Sequence, residues 1–429
     1  MSGSGALKVG LMGCGTIGAG VFHLARENVA LLTASAGRPL EIVRALAKDP
    51  DEPRPYPIER SLITTDAREL LDDASIDIFI EVMGGVEPAR TYALEVLSSG
   101  RALVSANKEL IARNGAELIA AAVDSGAHFL FEASVGGGIP IIRLLEESLG
   151  GDRIIKVMGI VNGTTNYILS RMASGGDTYA QALEQAQKLG YAEADPRSEV
   201  EGLDAASKLA ILSSIAFKVG VRSSQVYSEG IGRLRREDTD NARELGYVIK
   251  LLAIAEQAGG GISARVHPTM IPRDHPLASV SGNFNAVFVI GESVGELMFY
   301  GQGAGSLPTA TAILGDVINA ARNIGKPPVP RRSYWLTPGE IQPVDEVKTR
   351  FYMVLKVADR PGVLAQISGV FGENMVSLES VVQKGIGDRA QIVLITHEVK
   401  ESNFRAAREG LERLESVLEI PSVIRVAGS

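Results

Sequence analysis

At 429 residues the chain is too long for one ordinary hydrophobic core, so two or three domains are expected. Hydrophobic residues at 45% and charged residues at 22% exclude a largely disordered chain, and 47 glycines with 5% aromatics suit an α/β architecture rich in tight turns. A net charge of −8 excludes a general nucleic-acid binder, and the single cysteine, Cys14, excludes an internal disulfide or a cysteine-rich metal cage.

The N-terminus shows no secretory pattern, and Gly, Pro and Thr interrupt the uncharged stretch 297–315. No membrane contact is therefore expected, and the expected location is the cytoplasm. Residues 7–18, LKVGLMGCGTIG, form an apolar run that ends in a glycine-rich turn, and a helical pattern follows from 16 to about 32. A second apolar run, 42–47, meets Lys48, Asp49 and Pro50. Further strands are expected at 76–82 and 102–105, with helical patterns between and after them. That alternation predicts a mostly parallel sheet covered on both faces. Composition changes near Glu132, where EASVGGGIP introduces three glycines and then a helix from 139. From there to about 305 helices alternate with strands such as 156–161 and 286–290, a second, substrate-contacting domain. Five prolines lie between Gly325 and Pro343, beside Arg331 and Arg332, and 331–350 reads as a linker. Residues 351–429 read as strand, helix, strand pair around Gly385 and Gly387, helix 401–414 and strand 417–426. This βαββαβ order is the ferredoxin-like unit.

The turn Gly13-x-Gly15-x-x-Gly18 follows a strand and opens a helix, the setting of a dinucleotide site. Gly13 permits the tight turn, Gly15 lets backbone approach a pyrophosphate, and Gly18 lets helix and strand pack closely. The helix start at Thr16 and Ile17 attracts the anion. At the end of the second strand, Lys48 can pair with a 2′-phosphate and so favours NADP. Asp49 can bond ribose hydroxyls and so favours NAD, and both cofactors stay open.

Three clusters carry candidate chemistry. Ser105-Ala106-Asn107-Lys108 lies just past a strand end, where a lysine faces the cofactor crevice, although an exposed surface lysine fits equally. Residues 190–196, GYAEADP, precede Glu199, Glu201, Asp204 and Lys208. Asp204 and Lys208 share one helix face. An isolated pair of this kind is usually a solvated salt bridge. Here LAILSSIAF follows, apolar all round, which predicts a buried helix and a lysine tuned for proton exchange. In the third cluster, Glu132 with the loop 135–139 offers a carboxylate and carbonyl oxygens to a hard cation, or else a glycine hinge. The five histidines show no metal spacing, and Cys14 reads as a small filler of the turn rather than a nucleophile.

Six segments in order, GLMGCGTIG, SANKEL, EASVGGGIPII, VNGTTNYIL, GYAEADPRSEVEGLDAASKLAIL and GQGAGSLPTATAILGD, make the chain resemble the monofunctional homoserine dehydrogenases over essentially its whole length. ADRPGVLAQISGVFGENMVSLES at 358–380 resembles an ACT domain, a small-molecule sensor. The resemblance implies a Rossmann-type domain at 1–135, rejoined by about 306–330, and an α+β substrate and dimerisation domain at 136–305. The linker and an ACT domain at 351–429 complete the expected fold. It further implies NAD(P)-dependent interconversion of L-homoserine and L-aspartate 4-semialdehyde, in the pathway to threonine, methionine and isoleucine. Lys208 matches the proton donor and Lys108 the lysine between cofactor and substrate. Glu193 and Asp204 match substrate-binding acids, and Tyr191, Asn162, Thr164 and Thr165 match residues lining the same cleft. Ser105, Gly303 and Gly305 belong with the cofactor. Glu132 with the carbonyls of Val135, Gly137 and Ile139 matches a site for Na+ or K+. The implied partners are a small-molecule substrate, an amino-acid effector such as threonine, and further copies of the chain in a homodimer or homotetramer. Two rival readings are weaker. A semialdehyde dehydrogenase needs a thiol, for which Cys14 is misplaced, and a non-catalytic sensor leaves Lys108, Glu193, Asp204 and Lys208 unexplained.

Overall fold

The computed structural model describes residues 5–326, 333–386 and 389–427. In chain order the first elements are β1 (Leu7–Met12), α1 (Thr16–Glu27), α2 (Val29–Ala36), β2 (Leu40–Leu46), β3 (Ile63–Thr64) and α3 (Arg68–Leu71). Next come β4 (Ile78–Glu81), α4 (Ala89–Ser98), β5 (Ala102–Ser105), α5 (Lys108–Ser125), β6 (Phe129–Leu130) and α6 (Ile141–Arg143). The middle of the chain holds β7 (Ile154–Ile160), α7 (Gly163–Gly175), α8 (Tyr179–Lys188), α9 (Arg197–Val200), α10 (Leu203–Phe217), β8 (Tyr227–Ser228) and α11 (Arg236–Glu244). Then follow β9 (Tyr247–Ala258), β10 (Gly261–Pro272), β11 (Phe284–Gly291), β12 (Gly295–Gln302) and α12 (Ser306–Asn323). The last elements are β13 (Lys348–Ala358), α13 (Val363–Glu373), β14 (Leu378–Ile386), β15 (Arg389–Thr396), β16 (Val399–Lys400), α14 (Glu401–Glu412) and β17 (Val417–Val426).

The chain forms two compact units. The first comprises Met1–Val157, Ser207–Gln225 and Asn285–Gly339, and the second Met158–Ala206, Val226–Phe284 and Glu340–Ser429.

The first unit is built on a parallel sheet of order β3-β2-β1-β4-β5-β6, the doubly wound arrangement. Its central strands β1, β4 and β5 are buried on both faces, which explains their near-continuous apolar sequences, whereas β2 carries Glu41 and Arg44 and is only partly covered. α5 buries Leu110, Ile111, Gly115, Leu118, Ile119 and Ala122, one stripe of a 3.6-residue period; Asn107 caps its start and Gly126, at φ 75°, ends it. α12 lays Ala310, Ile313, Leu314, Val317 and Ala320 into the same core as Val9, Leu11, Val21 and Ile80. Helix α12, Ser306–Asn323, thus shares the core of the first unit's parallel sheet. The helix expected from 16 to about 32 is two helices broken at Asn28.

In the second unit the sheet runs β9-β10-β17-β13-β15-β14. β9 and β10 are a long antiparallel hairpin closed by Gly259 and Gly260, both at positive φ. Two such residues make the tight two-residue turn whose twist matches the strands. The βαββαβ unit buries Phe351, Met353, Leu355, Ile367, Phe371 and Leu411 beneath α13 and α14. Its last strand, β17, also pairs in parallel with β10, Thr269 opposite Arg425 and Met270 opposite Val426. On the other sheet face, Asn241 of α11 donates to the Tyr352 hydroxyl at 2.8 Å.

The expectation of a linker at 331–350 needs correction. Arg331 and Arg332 lie outside the described residues. Beyond them, Trp335 is buried against Gly115, where an added Cβ would meet the indole at 3.2 Å, and edge-on to Phe131 at 5.7 Å. Gly220 N–H donates to Thr337 O at 2.7 Å, and Ile262 N–H to Glu340 O at 2.8 Å. Proline density marks extended backbone here, but side-chain burial and cross-strand bonds hold that backbone down.

α13 ends with the paired bonds of a Schellman turn, Val376 N–H to Phe371 O and Met375 N–H to Gly372 O. Met375, at φ 58° and 80% exposed, occupies the left-handed position that glycine usually fills. Met375→Gly is expected to raise stability by about 0.5–1 kcal/mol, because the left-handed strain relieved exceeds the entropy glycine adds to the unfolded chain. Urea unfolding of the two proteins checks it, and an unchanged or lowered midpoint would count against the strain.

Candidate functional site

The cofactor crevice grows from the carboxyl end of β1. Gly13 stands at φ 108°, and a Cβ there would sit 2.7 Å from Val82 O. A Cβ on Gly18 would sit 2.0 Å from Gly13 O, so helix and turn touch backbone to backbone. Nothing lies within 4 Å of a Cβ built on Gly15, which leaves the approach to the α1 N-terminus, at Thr16 and Ile17, open to an anion. Gly303 and Gly305 close the same region. Ser306 Oγ donates to Thr16 O at 2.6 Å, and a Cβ on Gly137 would lie 2.6 Å from Gly303 O. Ser105, at the end of β5, and Asn107 both donate to the buried Glu81 carboxylate, at 2.6 and 3.2 Å. Lys108 is the exposed first residue of α5.

Lys48 is exposed beyond β2. A second cation in the same loop escaped the sequence reading. Arg54 donates through Nε to Cys14 O at 3.0 Å and through Nη2 to Asp49 O at 2.6 Å, clamping the loop to the glycine-rich turn. Its distance of six positions from Lys48 offers no periodic signal.

Glu132 is buried, and its two oxygens accept from Ile142 N at 2.7 Å and Arg143 N at 2.8 Å. Asp316 accepts from Glu132 N at 2.7 Å and pairs with Arg143 at 2.6 Å. Burial, with Asp316 adding repulsion, pushes the Glu132 carboxyl up to about 7. Gly136 and Gly137 turn the loop at φ 76° and 56°, and the carbonyls of Val135, Gly137 and Ile139 belong to this turn. Among the described residues no group of three His, Cys, Asp or Glu could hold a metal ion. A cation here would rest on one carboxylate and backbone carbonyls.

The second unit holds Asn162, Thr164, Tyr191, Glu193 and Asp204, whereas Lys208, on the same helix as Asp204, belongs to the first. Asn162 caps α7, accepting from Thr165 N–H at 2.9 Å, and its amide donates to Asp204 Oδ2 at 2.9 Å. The Thr164 hydroxyl lies within hydrogen-bond distance of both Tyr191 O and Glu199 Oε1, and its one proton serves either acceptor. Tyr191 packs edge-on against Tyr167 at 5.1 Å. Glu193 is exposed, held through its N–H to Glu199 Oε2 at 3.4 Å and its carbonyl to Gln187 at 3.2 Å. Glu199 thus organises the loop carrying Tyr191 and Glu193, although the sequence reading left it out of the site. Its position three residues after a proline was the available signal. α10 carries Asp204 and Lys208 one turn apart, at 5% and 8% exposure. Lys208 lies within this helix rather than at its start.

A doubly wound sheet with a glycine-lined opening between β1 and β4 marks a dinucleotide-binding fold of the Rossmann class. Family models described as homoserine dehydrogenase, its NAD-binding domain and the ACT domain match residues 140–318, 13–132 and 352–416. The chain is 45% identical to a homoserine dehydrogenase from Synechocystis (98% of this chain, 99% of that one) and 42% identical to one from Bacillus subtilis (99% of each). A solved homoserine dehydrogenase from Thiobacillus denitrificans superposes with a TM-score of 0.94 at 42% identity, covering 100% of this chain and 99% of that one. The chain belongs to the homoserine dehydrogenase family, and it is an NAD(P)-dependent oxidoreductase. A hyperthermophilic archaeal homoserine dehydrogenase solved with NADPH is 26% identical, with a TM-score of 0.62 over 73% of this chain and 97% of that one.

Cys14 is buried, donates to Leu46 O at 3.3 Å, and its thiol is pushed up to about 11 by burial. At pH 8 the thiolate fraction would be on the order of 0.1%. A disulfide reagent is therefore expected to titrate no thiol in the native protein and one after denaturation. Fast native reaction would revive the thiol-based alternative.

Proposed function

We propose that this chain interconverts L-homoserine and L-aspartate 4-semialdehyde, on a biosynthetic route to threonine, methionine and isoleucine in the cytoplasm. Among the described residues no helix is long and apolar enough to cross a membrane. The functional division follows residues 1–135 with the return at 306–330 for the dinucleotide, 136–305 for substrate and dimerisation, and 351–429 for regulation.

The buried lysine and carboxylate one turn apart on α10, with Asn162 fixing that carboxylate, carry the reading. When bound, the nicotinamide supplies or accepts hydride at the carbon bearing the substrate oxygen. Gly13, Gly15, Thr16, Ile17, Gly18, Ser105, Gly303 and Gly305 hold the dinucleotide. Lys48, with Arg54 in the same loop, favours the 2′-phosphate of NADP, with NAD as the alternative. Glu193 and Asp204, joined by Glu199, hold the substrate ammonium, and Tyr191, Asn162 and Thr164 line its place. Lys208 gives its proton to the carbonyl oxygen as charge builds there, and Lys108 stabilises the same oxygen from the cofactor side. Lys208→Ala is expected to lower kcat by roughly 10²–10⁴-fold in homoserine-dependent NAD(P)H formation, with an unchanged circular dichroism spectrum. Turnover within a factor of a few of the parent would remove Lys208 from the mechanism.

Glu132 and the carbonyls of Val135, Gly137 and Ile139 fit a monovalent cation, Na+ or K+. Arg143 pairs with Asp316 and only partly offsets the buried Glu132 charge, and each Glu132 oxygen accepts one backbone N–H and keeps a lone pair. The sign follows from linkage. A folded value near 7 against 4.5 unfolded means that the Glu132 contribution is most favourable below pH 4.5 and is lost as pH rises through 7. A bound cation offsets that loss. Sodium chloride, compared with choline chloride, should therefore raise Tm more at pH 8 than at pH 6, and an equal gain at both would exclude Glu132 as a ligand.

The turn Asp359-Arg360-Pro361-Gly362-Val363-Leu364, with Gln383 and Ile392, lines a cavity of about 380 Å³ at the start of α13. It suits a small amino acid, threonine as end product, acting as a feedback inhibitor; the helix start would receive its carboxylate. Homodimers or homotetramers are supported by β14, which ends its sheet with Val381 and Val382 part-exposed. Because β17 pairs with β10, deleting the C-terminal unit would strip a sheet strand, so substitution is the sharper test. Calorimetry should show threonine binding that Asp359→Ala and Gln383→Ala abolish. Absence of binding by any amino acid would leave only a structural role.

A further inference from the structure

Glu81 is the last residue of β4, fully buried, and the mechanism above does not use it. Its Oε1 accepts from Met83 N–H at 2.9 Å and from the Asn107 amide at 3.2 Å, and its Oε2 accepts from Ser105 Oγ at 2.6 Å. Every one of these donors is neutral. Burial raises the carboxyl above its usual range, against the pull of those hydrogen bonds. A buried carboxylate without a cation costs free energy unless its lone pairs are filled, and here they are filled from two different loops.

The two loops are the ones that bound the crevice. Glu81 lies opposite Met12 of β1 on one side and Ser105 of β5 on the other. The residue after it, Val82, has the carbonyl against which Gly13 packs. Ser105 Oγ, while donating to Glu81, accepts from Asn107 N–H at 3.1 Å. The Asn107 amide also donates to Gly85 O at 2.7 Å, and its Oδ1 caps α5 by accepting from Leu110 N–H at 3.2 Å. Lys108 is the next residue. One carboxylate therefore sets the α5 cap, and through it the base of the Lys108 side chain, against the loop that follows β4.

We propose that Glu81 is a positioning residue for the hydride-transfer step, acting through Ser105 and Asn107 to fix Lys108 at the cofactor crevice. This rests on the reading of Lys108 given above. A structural role alone would lower stability and leave turnover per folded molecule unchanged. A positioning role lowers kcat and does so only while Lys108 is present.

The test is a double-mutant cycle on the full chain, with Glu81→Gln and Lys108→Ala, measuring kcat, KM for homoserine, the Kd of reduced cofactor by fluorescence, and Tm. Glu81→Gln keeps the size, but its amide nitrogen faces donors. It is expected to lower kcat at least tenfold with KM and Tm little changed, and to cost less than threefold more in the Lys108→Ala background. Equal losses in both backgrounds, or an unchanged kcat, overturn the proposal. If Lys108→Ala itself turns over like the parent, the reading of Lys108 fails and this proposal falls with it. If Lys108→Ala is impaired and the cycle is additive, only the role of Glu81 falls. Should Glu81→Gln fail to fold, Asn107→Ser, which keeps a capping oxygen for α5 but loses the amide donor to Glu81, takes its place in the same cycle, with the same outcomes deciding.

Discussion

Backbone lying directly on backbone at the carboxyl end of β1 is the constraint on which the nucleotide-binding unit depends. With Gly13 against Val82 O and Gly18 against Gly13 O, even one methyl group at either position overlaps main-chain atoms that have no rotamer to yield. The contact brings the α1 N-terminus, the loop after β4 and the cap of α5 into one small region. The parallel register β1 to β4 to β5 then carries that proximity to Ser105 and Lys108.

Two buried ionisable groups of this protein form hydrogen bonds with neutral partners. Glu132 accepts from two backbone N–H groups, and Lys250 donates to Val280 O and Asn166 Oδ1. Burial pulls Lys250 down to about 8, as it raises Glu132. Neutral donors fix an ionisable group without cancelling its charge, so the group stays responsive to a substrate, a cation or a proton. Where opposite charges do meet deep in the fold, at Arg425 with Glu401 and Glu229, the cluster joins β17 to α14 and to the segment after β8. There the demand is for a fixed joint.

That joint changes how the C-terminal unit is understood. A ferredoxin-like unit on a flexible tether would transmit ligand binding only through encounters. A strand shared with the β9–β10 hairpin makes the ferredoxin-like sheet and the β9–β10 ladder one hydrogen-bonded object.

Features governed by short-range chemistry can be read from the residue order alone. The glycine-rich turn between strand and helix, β5 at 102–105, β15 at 389–396, β17 at 417–426 and the Asp204–Lys208 spacing on one helix were all legible, because each is set by local periodicity or by backbone sterics within a few residues. The family resemblance was legible for the same reason, being carried by contiguous motifs. The β9–β10 hairpin went unread although Gly259-Gly260 marks its turn, because LLAIAEQA is made of good helix formers and only its place in the sheet selects the strand. Arg54 and Glu81 left no signal, since Cys14 lies 40 positions from the one and Ser105 and Asn107 lie 24 and 26 from the other, and Glu199, visible in its acidic cluster, gave no sign of its bond to Thr164 35 positions earlier. Burial of Trp335 against Gly115 likewise spans more than two hundred residues and overrides the proline pattern. Tertiary structure alone decided these, because the free energy of a buried polar contact or a filled cavity depends on which distant atoms arrive, and no local pattern encodes that arrival.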